Sequence, residues 1–223
     1  LKVGILIAQQ GKIMGQEPLW TSRAVAGGGK PWPHLTGDAT DYKPLAGVKV
    51  VDFSRVIAAP AVSKILAVLG ADVIRISHSE NPDYAATMVD LQTGKRDANL
   101  NLKTPEGKRA FIELVKDADV LVDGFRPGAF ERLGFTSESL RKINPSLIYV
   151  RENCYGFKGP LSYRSGWQQV SDCLVGISYL QGKFLGLDEA VLPLFRKLPP
   201  FCRVPLAIAD NIPQPTQTTR PVS

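Results

Sequence analysis

From Val48 to Ser77 the chain switches between two hydrophobic rhythms. Apolar, β-branched runs at Val48 to Phe53 and Val73 to Ile76 read as strands, and between them apolar residues recur at helical spacing. The pattern predicts a strand, a tight loop, a helix and a second strand. Ala61, Ile65, Val68 and Leu69 share the helix face expected to cover the sheet. Pro60 suits the first helical turn, and Gly70 is placed to end the helix in the left-handed conformation. In an open parallel sheet the ligand crevice lies beyond the carboxyl ends of the strands, so Ser54 to Ala59 is the predicted binding edge. There the Ala58-Ala59 pair lets a ligand approach the backbone, and the helix N-terminus behind it favours an anion.

Downstream, Ser79 to Lys95 is polar and turn-rich, and Asp97 to Leu102 alternates like a short edge strand. Thr104, Pro105 and Glu106 form a helix start: a capping hydroxyl, a residue pre-set for the first turn, and a carboxylate on the positive end of the dipole. These residues and Gly107 are read as purely structural. The helix they open buries Phe111, Leu114, Val115 and Ala118. Asp119 to Asp123 and Leu147 to Val150 are further strands, separated by short helices at Phe130 to Leu133 and Ser137 to Ile143 and a stop at Asn144-Pro145. Asn153 to Gly166 reads as a long loop. Trp167 to Leu180 returns to helical spacing, with Val170, Leu174 and Ile177 on one side. Strands alternating with helices predict an α/β fold with a doubly wound, mostly parallel sheet.

The flanks differ. Residues 1–44 show little periodicity and carry the loop Gly27-Gly28-Gly29 before Pro31 and Pro33, so they are read as an N-terminal extension. Residues 45–195 form the domain. Residues 196–223 hold six prolines and have the composition of a disordered tail. The formal charge of +6 lies mostly in these flanks, because residues 45–195 carry 18 Lys and Arg against 17 Asp and Glu. A basic face for nucleic acid is therefore not expected. Cys154, Cys173 and Cys202 lack zinc-site spacing and disulfide density, which predicts free thiols in an intracellular protein of the cytoplasm or an organelle matrix. No apolar run reaches the roughly 18 residues of a membrane-spanning helix, so no membrane partner is expected.

The motifs D-F-S-R-V-I-A-A-P, L-G-A-D-V-I-R-I, G-K-R, L-N-L-K-T-P-E-G-K, A-D-V-L-V-D-G-F-R-P-G-A-F-E-R-L-G-F and N-P-S-L-I-Y stand in this order within residues 45–180. Together they resemble the family III CoA-transferases of the CaiB/BaiF type, a group that includes carnitine and formyl CoA-transferases and 2-methylacyl-CoA racemases. The resemblance implies a Rossmann-like large domain, an interlocked homodimer, and coenzyme A or acyl-CoA as substrate rather than as a permanent cofactor. It implies that Val56, Ile57 and Ala58 face the CoA nucleotide and pantetheine, that His78 lies near the adenine, and that Lys95 and Arg96 lie near the phosphates. Gly124, Phe125 and Arg126 would line the thioester channel, and Arg132 would pair with a phosphate. Arg forks, Lys and an apolar wall suit a ligand with phosphates at one end and an apolar arm at the other. Lys95, Arg96 and Arg132 also read as solvated charges, and Phe125 as core.

The resemblance further implies a carboxylate nucleophile. An Asp attacks the acyl-CoA thioester to give a mixed anhydride, and released CoA attacks again to leave an enzyme thioester that a second carboxylic acid accepts. That Asp is expected about thirty residues after the position held here by Gly166-Trp167. The corresponding residues 197–201 read K-L-P-P-F. Asp188 and Glu189 come too early and Asp210 too late, leaving Asp172 as the alternative, against its reading as a solvated helical residue. Trp167 stands where the racemases carry a His. Indole is no base, so racemisation is the weaker expectation and Trp167 is read as an aromatic wall for the acyl or pantetheine arm, or as core. The loss of the expected Asp coincides with the change of composition at Phe195, so the chain is read as a truncated form of the family. Three readings stay open: a CoA-transferase acting on an acyl-CoA and a carboxylic acid, a nucleotide- or CoA-binding module without catalysis, and a structural α/β domain with no ligand.

Overall fold

The structure, a computed structural model, describes residues 9–25, 42–81, 83, 85–167, 170–172 and 177–184. The chain divides into two compact units, one of residues 21–153 and one that joins residues before 21 to those from 154 onward.

In the larger unit, strands β1 (Lys49–Phe53), β2 (Asp72–Ser77), β3 (Lys95–Asn99), β4 (Val120–Asp123) and β5 (Ile148–Arg151) form one sheet in the order β3-β2-β1-β4-β5. Every pairing is parallel. This is the predicted α/β architecture, and the order reverses between β1 and β4. Helices α1 (Ala58–Val68), α2 (Ala85–Leu91), α3 (Pro105–Asp117), α4 (Ala129–Arg132) and α5 (Ser137–Ile143) lie between the strands in the chain.

Alternation along the strands divides the core in two. Val51 and Phe53 of β1 and Leu121 of β4 join Phe111 and Val115 of α3 in one cluster. Val50 of β1 and Val120 and Val122 of β4 join Ala59 of α1 in the other. The start of α3 is capped as its residues predict: Thr104 Oγ1 accepts the Gly107 N–H at 3.1 Å, and Pro105 takes the first turn. Gly107 packs so tightly that a Cβ there would lie 2.0 Å from the Asn101 carbonyl oxygen.

Three elements differ from expectation. The polar stretch after Ser79 contains α2, over Ala85–Leu91. The edge strand β3 begins at Lys95, two residues early. In α1 the buried residues are Ala59, Pro60 and Ser63, whereas Ile65 and Val68 are 59% and 67% exposed. The helix rests on the sheet through small residues, because β4 comes too close for large ones. A Cβ on Gly124, just past β4, would meet the Ala59 Cβ at 2.3 Å. Gly70 follows α1 at φ +99° as predicted.

In the smaller unit, residues 9–14 are helical and helix α6 spans Ile177–Phe184. Gln10, fully buried, donates from Nε2 to the carbonyls of Tyr155 and Lys158 at 2.7 Å each, and its Oε1 accepts the Leu161 N–H at 2.9 Å. The helical turn within the expected extension is thus stitched to the loop of residues 154–161. The triple-glycine loop, residues 185–195 and the Pro-rich tail lie outside the described residues. Among those described, no helix is long and apolar enough to cross a membrane.

Candidate functional site

The reversal of strand order makes the carboxyl ends of β1 and β4 a switch point, where loops part and leave a crevice. The chain leaving β1 makes an abrupt turn there. Val56 sits at φ +73°, a region a β-branched residue rarely occupies. Asp83 Oδ1 accepts its N–H at 2.8 Å, and Thr87 Oγ1 donates to its carbonyl at 3.2 Å. The turn delivers the chain to α1, whose N-cap residue Ile57 has no side-chain capping bond.

Beside this turn, at the carboxyl ends of β1, β2 and β3, is a cavity of about 380 Å³. Phe53, Ile76, Leu100, Leu102, Phe125, Ala129 and Leu133 give its apolar wall. Arg55, Arg75, His78, Lys103 and Arg132 give its basic one, with Ser77, Asn81 and Asn101 between. Among the described residues no carboxylate lines it. Arg75 is neutralised by Asp83 at 2.9 Å and Asp97 at 2.8 Å, and the Nδ1 of His78 accepts the Glu80 N–H at 3.2 Å. Lys103 and Arg132 form no ion pair among the described residues. Phe125 stacks on Phe53 with centroids 4.2 Å apart, so one aromatic surface faces both core and cavity.

Of the residues singled out from the sequence, His78, Phe125 and Arg132 meet in this cavity. Val56, Ile57 and Ala58 stand outside its wall, next to Arg55. Ala58 is exposed while Ala59 is buried against the Gly124 loop, so close approach to backbone is open at the first alanine and closed at the second. Gly124 serves that packing, and Arg126 is exposed outside the wall.

Lys95 and Arg96 depart from the expectation of phosphate contact. The Lys95 ammonium is buried, 2.8 Å from Asp52 Oδ2 and Ser63 Oγ and 2.9 Å from the Pro60 carbonyl. Its three N–H donors are matched by three acceptors, leaving none for a phosphate. Arg96 sits near the amino end of β3 and grips Asp72, the first residue of β2, with Nε 2.9 Å from Oδ1. That is the edge of the sheet opposite the crevice.

In the smaller unit Trp167 is 58% exposed, which excludes the core reading among the described residues. Asp172 is half-buried at the end of the helical residues 170–172. Residues 197–201, Asp188, Glu189 and Asp210 lie outside the described residues.

Arg55 falls within the predicted binding edge of Ser54 to Ala59, whereas Asn81, Asn101 and Lys103 were not anticipated. Lys103 carried a signal: it lies between the carboxyl end of a strand and the next helix, on the crevice edge. The capping motif one residue later drew the attention instead. Asn101 sets the turn, its Oδ1 accepting the Lys103 N–H at 3.0 Å.

At the end of β4, Asp123 is buried and accepts the Tyr149 hydroxyl at 2.7 Å and the Phe125 N–H at 3.0 Å. Burial pushes its carboxyl above the ordinary range, against the lowering effect of those bonds and Arg151. Burial and the neighbouring Asp123 raise the Tyr149 hydroxyl as well. No group of three or more His, Cys, Asp or Glu able to hold a metal ion occurs among the described residues.

Residues 45–194 match the family model of CoA-transferase family III. The chain is 42% identical over 167 residues to the acetyl-coenzyme A transferase nodX of Hypoxylon pulicicidum, covering 73% of this chain and 28% of that protein. It is 39% identical over 155 residues to the succinyl-CoA–L-malate CoA-transferase beta subunit of Chloroflexus aurantiacus, covering 64% of this chain and 38% of the other. Among solved structures, a CAIB/BAIF family protein from Brucella suis matches with a TM-score of 0.58 and 33% identity, over 62% of this chain and 40% of that one. The chain therefore spans well under half the length of these relatives.

Proposed function

The chain belongs to CoA-transferase family III, and from that premise we propose that it is the CoA-binding part of an enzyme moving CoA between an acyl-CoA and a carboxylic acid. The observation that carries the reading is the cavity at the switch point. Its cationic groups include Lys103 and Arg132, which no carboxylate among the described residues neutralises, and its floor is aromatic and aliphatic. Coenzyme A has the matching chemistry: phosphates for the Arg forks and Lys, and an adenine ring and thiol-bearing arm for the apolar surface. A volume of about 380 Å³ is at the small end of the range for small-molecule sites, room for one end of such a ligand.

None of the described residues of the wall is a carboxylate, so this reading takes its nucleophile from elsewhere in the enzyme. In the proposed reaction a carboxylate attacks the thioester carbonyl and CoA leaves as thiolate. The thiolate then attacks the enzyme-side carbonyl of the resulting anhydride, releasing the donor as a free carboxylate and leaving an enzyme thioester. The acceptor carboxylate attacks that thioester and expels the thiolate, which attacks the acceptor carbonyl of the second anhydride and frees the enzyme carboxylate. Asp172 is the candidate nucleophile within the described residues. The enzyme would work as a homodimer, by the family resemblance.

Thermal unfolding of the chain with increasing free CoA tests the binding reading. A ligand held by the native state alone raises the midpoint with concentration. A midpoint indifferent to CoA, at concentrations where ionic strength is matched, would remove it. Trapping of an acyl-enzyme with hydroxylamine tests the anhydride separately.

A further inference from the structure

The strained turn at Val56 and the cavity wall share one carboxylate. Asp83 accepts the Val56 N–H on Oδ1, and on Oδ2 it takes Arg75 Nη2 at 2.9 Å, in a pair whose side chains are 1% and 7% exposed. Arg75 is itself part of the cavity wall. Its other terminal nitrogen binds Asp97, whose second oxygen accepts the Ser77 hydroxyl at 2.5 Å, and Ser77 lines the same cavity.

Val56 has no steric reason to hold φ +73°, since a β-branched side chain in that region collides with its own backbone. Something outside the residue must hold it. The described structure supplies a carboxylate on its N–H and a threonine hydroxyl on its carbonyl. The conformation has a consequence at the site. Arg55, one residue earlier, is in the cavity wall, and Ile57, one residue later, is the N-cap of α1. The reversal at Val56 separates them, so the chain turns from the cavity edge at Arg55 to the start of α1 within this one residue.

We propose that Asp83 is a positioning residue for the CoA site: it fixes Val56 in its left-handed turn and Arg75 in the wall, and so sets the basic groups before the ligand arrives. The proposal rests on the CoA reading of the cavity. Both carboxylate oxygens act as acceptors, which is why Asn cannot replace the acid. An amide offers one acceptor oxygen, and its NH2 would face either the Val56 N–H or the guanidinium, donor against donor.

The test is calorimetric titration of free CoA into the 223-residue chain and into Asp83→Asn, Asp83→Asn/Val56→Gly and Arg132→Ala. Loss of a charge-assisted contact at the site weakens CoA by about tenfold or more in Asp83→Asn. Glycine adopts positive φ without strain, so the double variant regains part of that affinity although the ion pair stays broken. Urea unfolding of the same variants separates this role from a loss of stability, which leaves the CoA affinity of the folded fraction at the parent value. Asp83→Asn binding CoA as tightly as the parent, while Arg132→Ala binds weakly, overturns the positioning role and leaves the CoA reading standing. Failure of the rescue overturns it too. A parent chain that does not bind CoA overturns both.

Should Asp83→Asn not fold, amide exchange in the parent decides. Slower exchange of the Val56 N–H with CoA bound supports the coupling, by reciprocity between ligand and turn, and unchanged exchange overturns it.

Discussion

Asp52 and Lys95 form an ion pair of 2.8 Å with neither side chain reaching solvent, 0% and 1% exposed, beneath the first turns of α1. Asp52 Oδ2 also accepts the Ser63 hydroxyl at 2.6 Å, and Ser54 donates to Oδ1. The pair joins three segments: the end of β1, the start of β3 and the buried side of α1.

Replacing Lys95 by Met strands the Asp52 carboxylate in the interior, and removing one member of a buried pair costs about 3–5 kcal/mol. Adding Asp52→Asn removes the stranded charge and recovers most of the loss. Urea unfolding of the two variants reads this directly. CoA affinity of folded Lys95→Met stays at the parent value, because the ammonium has no donor to spare. A loss of CoA affinity at undiminished stability would return Lys95 to the phosphates.

Arg132 behaves in the opposite way. Its guanidinium lines the cavity with no ion pair among the described residues, so Arg132→Ala leaves stability within about 0.5 kcal/mol, as surface changes usually do. CoA binding weakens by about 1.5–3 kcal/mol, the scale of a hydrogen bond to a charged group. An unchanged dissociation constant would make Arg132 a solvated charge.

The residues that told most from sequence were those whose role is local. Thr104 and Pro105 announce a helix start by their own chemistry, and Phe111 and Val115 fall on its buried stripe by spacing, so α3 was legible. The face of α1 was not. Hydrophobic periodicity favours the large residues Ile65 and Val68, but the sheet approaches through Gly124, and only Ala59 and Ser63 fit against it. Lys95 misled for a related reason. A basic residue in a phosphate-binding context reads as a ligand contact until a carboxylate 43 positions earlier is seen beside it. His78, Phe125 and Arg132 were expected from the family resemblance, and the cavity brings together two residues just past strand ends and one at the end of α4. Arg55 lies in the predicted edge Ser54 to Ala59, whereas Lys103, which also follows a strand, stands beside a capping motif of stronger local signal.

Gly124→Ala tests the close approach of β4 to α1. A Cβ there would lie 2.3 Å from the Ala59 Cβ and 3.0 Å from the Ser54 Cβ, both on rigid segments. Overpacking of this kind costs about 1–3 kcal/mol. Ala59→Gly in the same chain opens the space, so the two changes together cost less than their sum, and the cycle isolates the contact. Additive effects in urea unfolding would mean that the helix moves aside freely.

Asp123 makes a pH-dependent prediction whose sign follows from its raised carboxyl. The folded state binds the proton more tightly than the unfolded one. This carboxyl therefore supports folding fully below its ordinary value of 3.8, and that support is lost as pH rises through the higher folded value. In Asp123→Asn the amide oxygen still accepts the Phe125 N–H, and the NH2 donates to the Tyr149 oxygen, which accepts as readily as it donates. The variant keeps the contacts and lacks the titration. Unfolding free energies of the two chains, measured across the acidic range, should give a parent-minus-variant difference that falls with rising pH and then levels off. Titrations common to both chains cancel in that difference. A difference that rises with pH would mean that the Tyr149 and Phe125 bonds outweigh burial and hold Asp123 ionised in the fold.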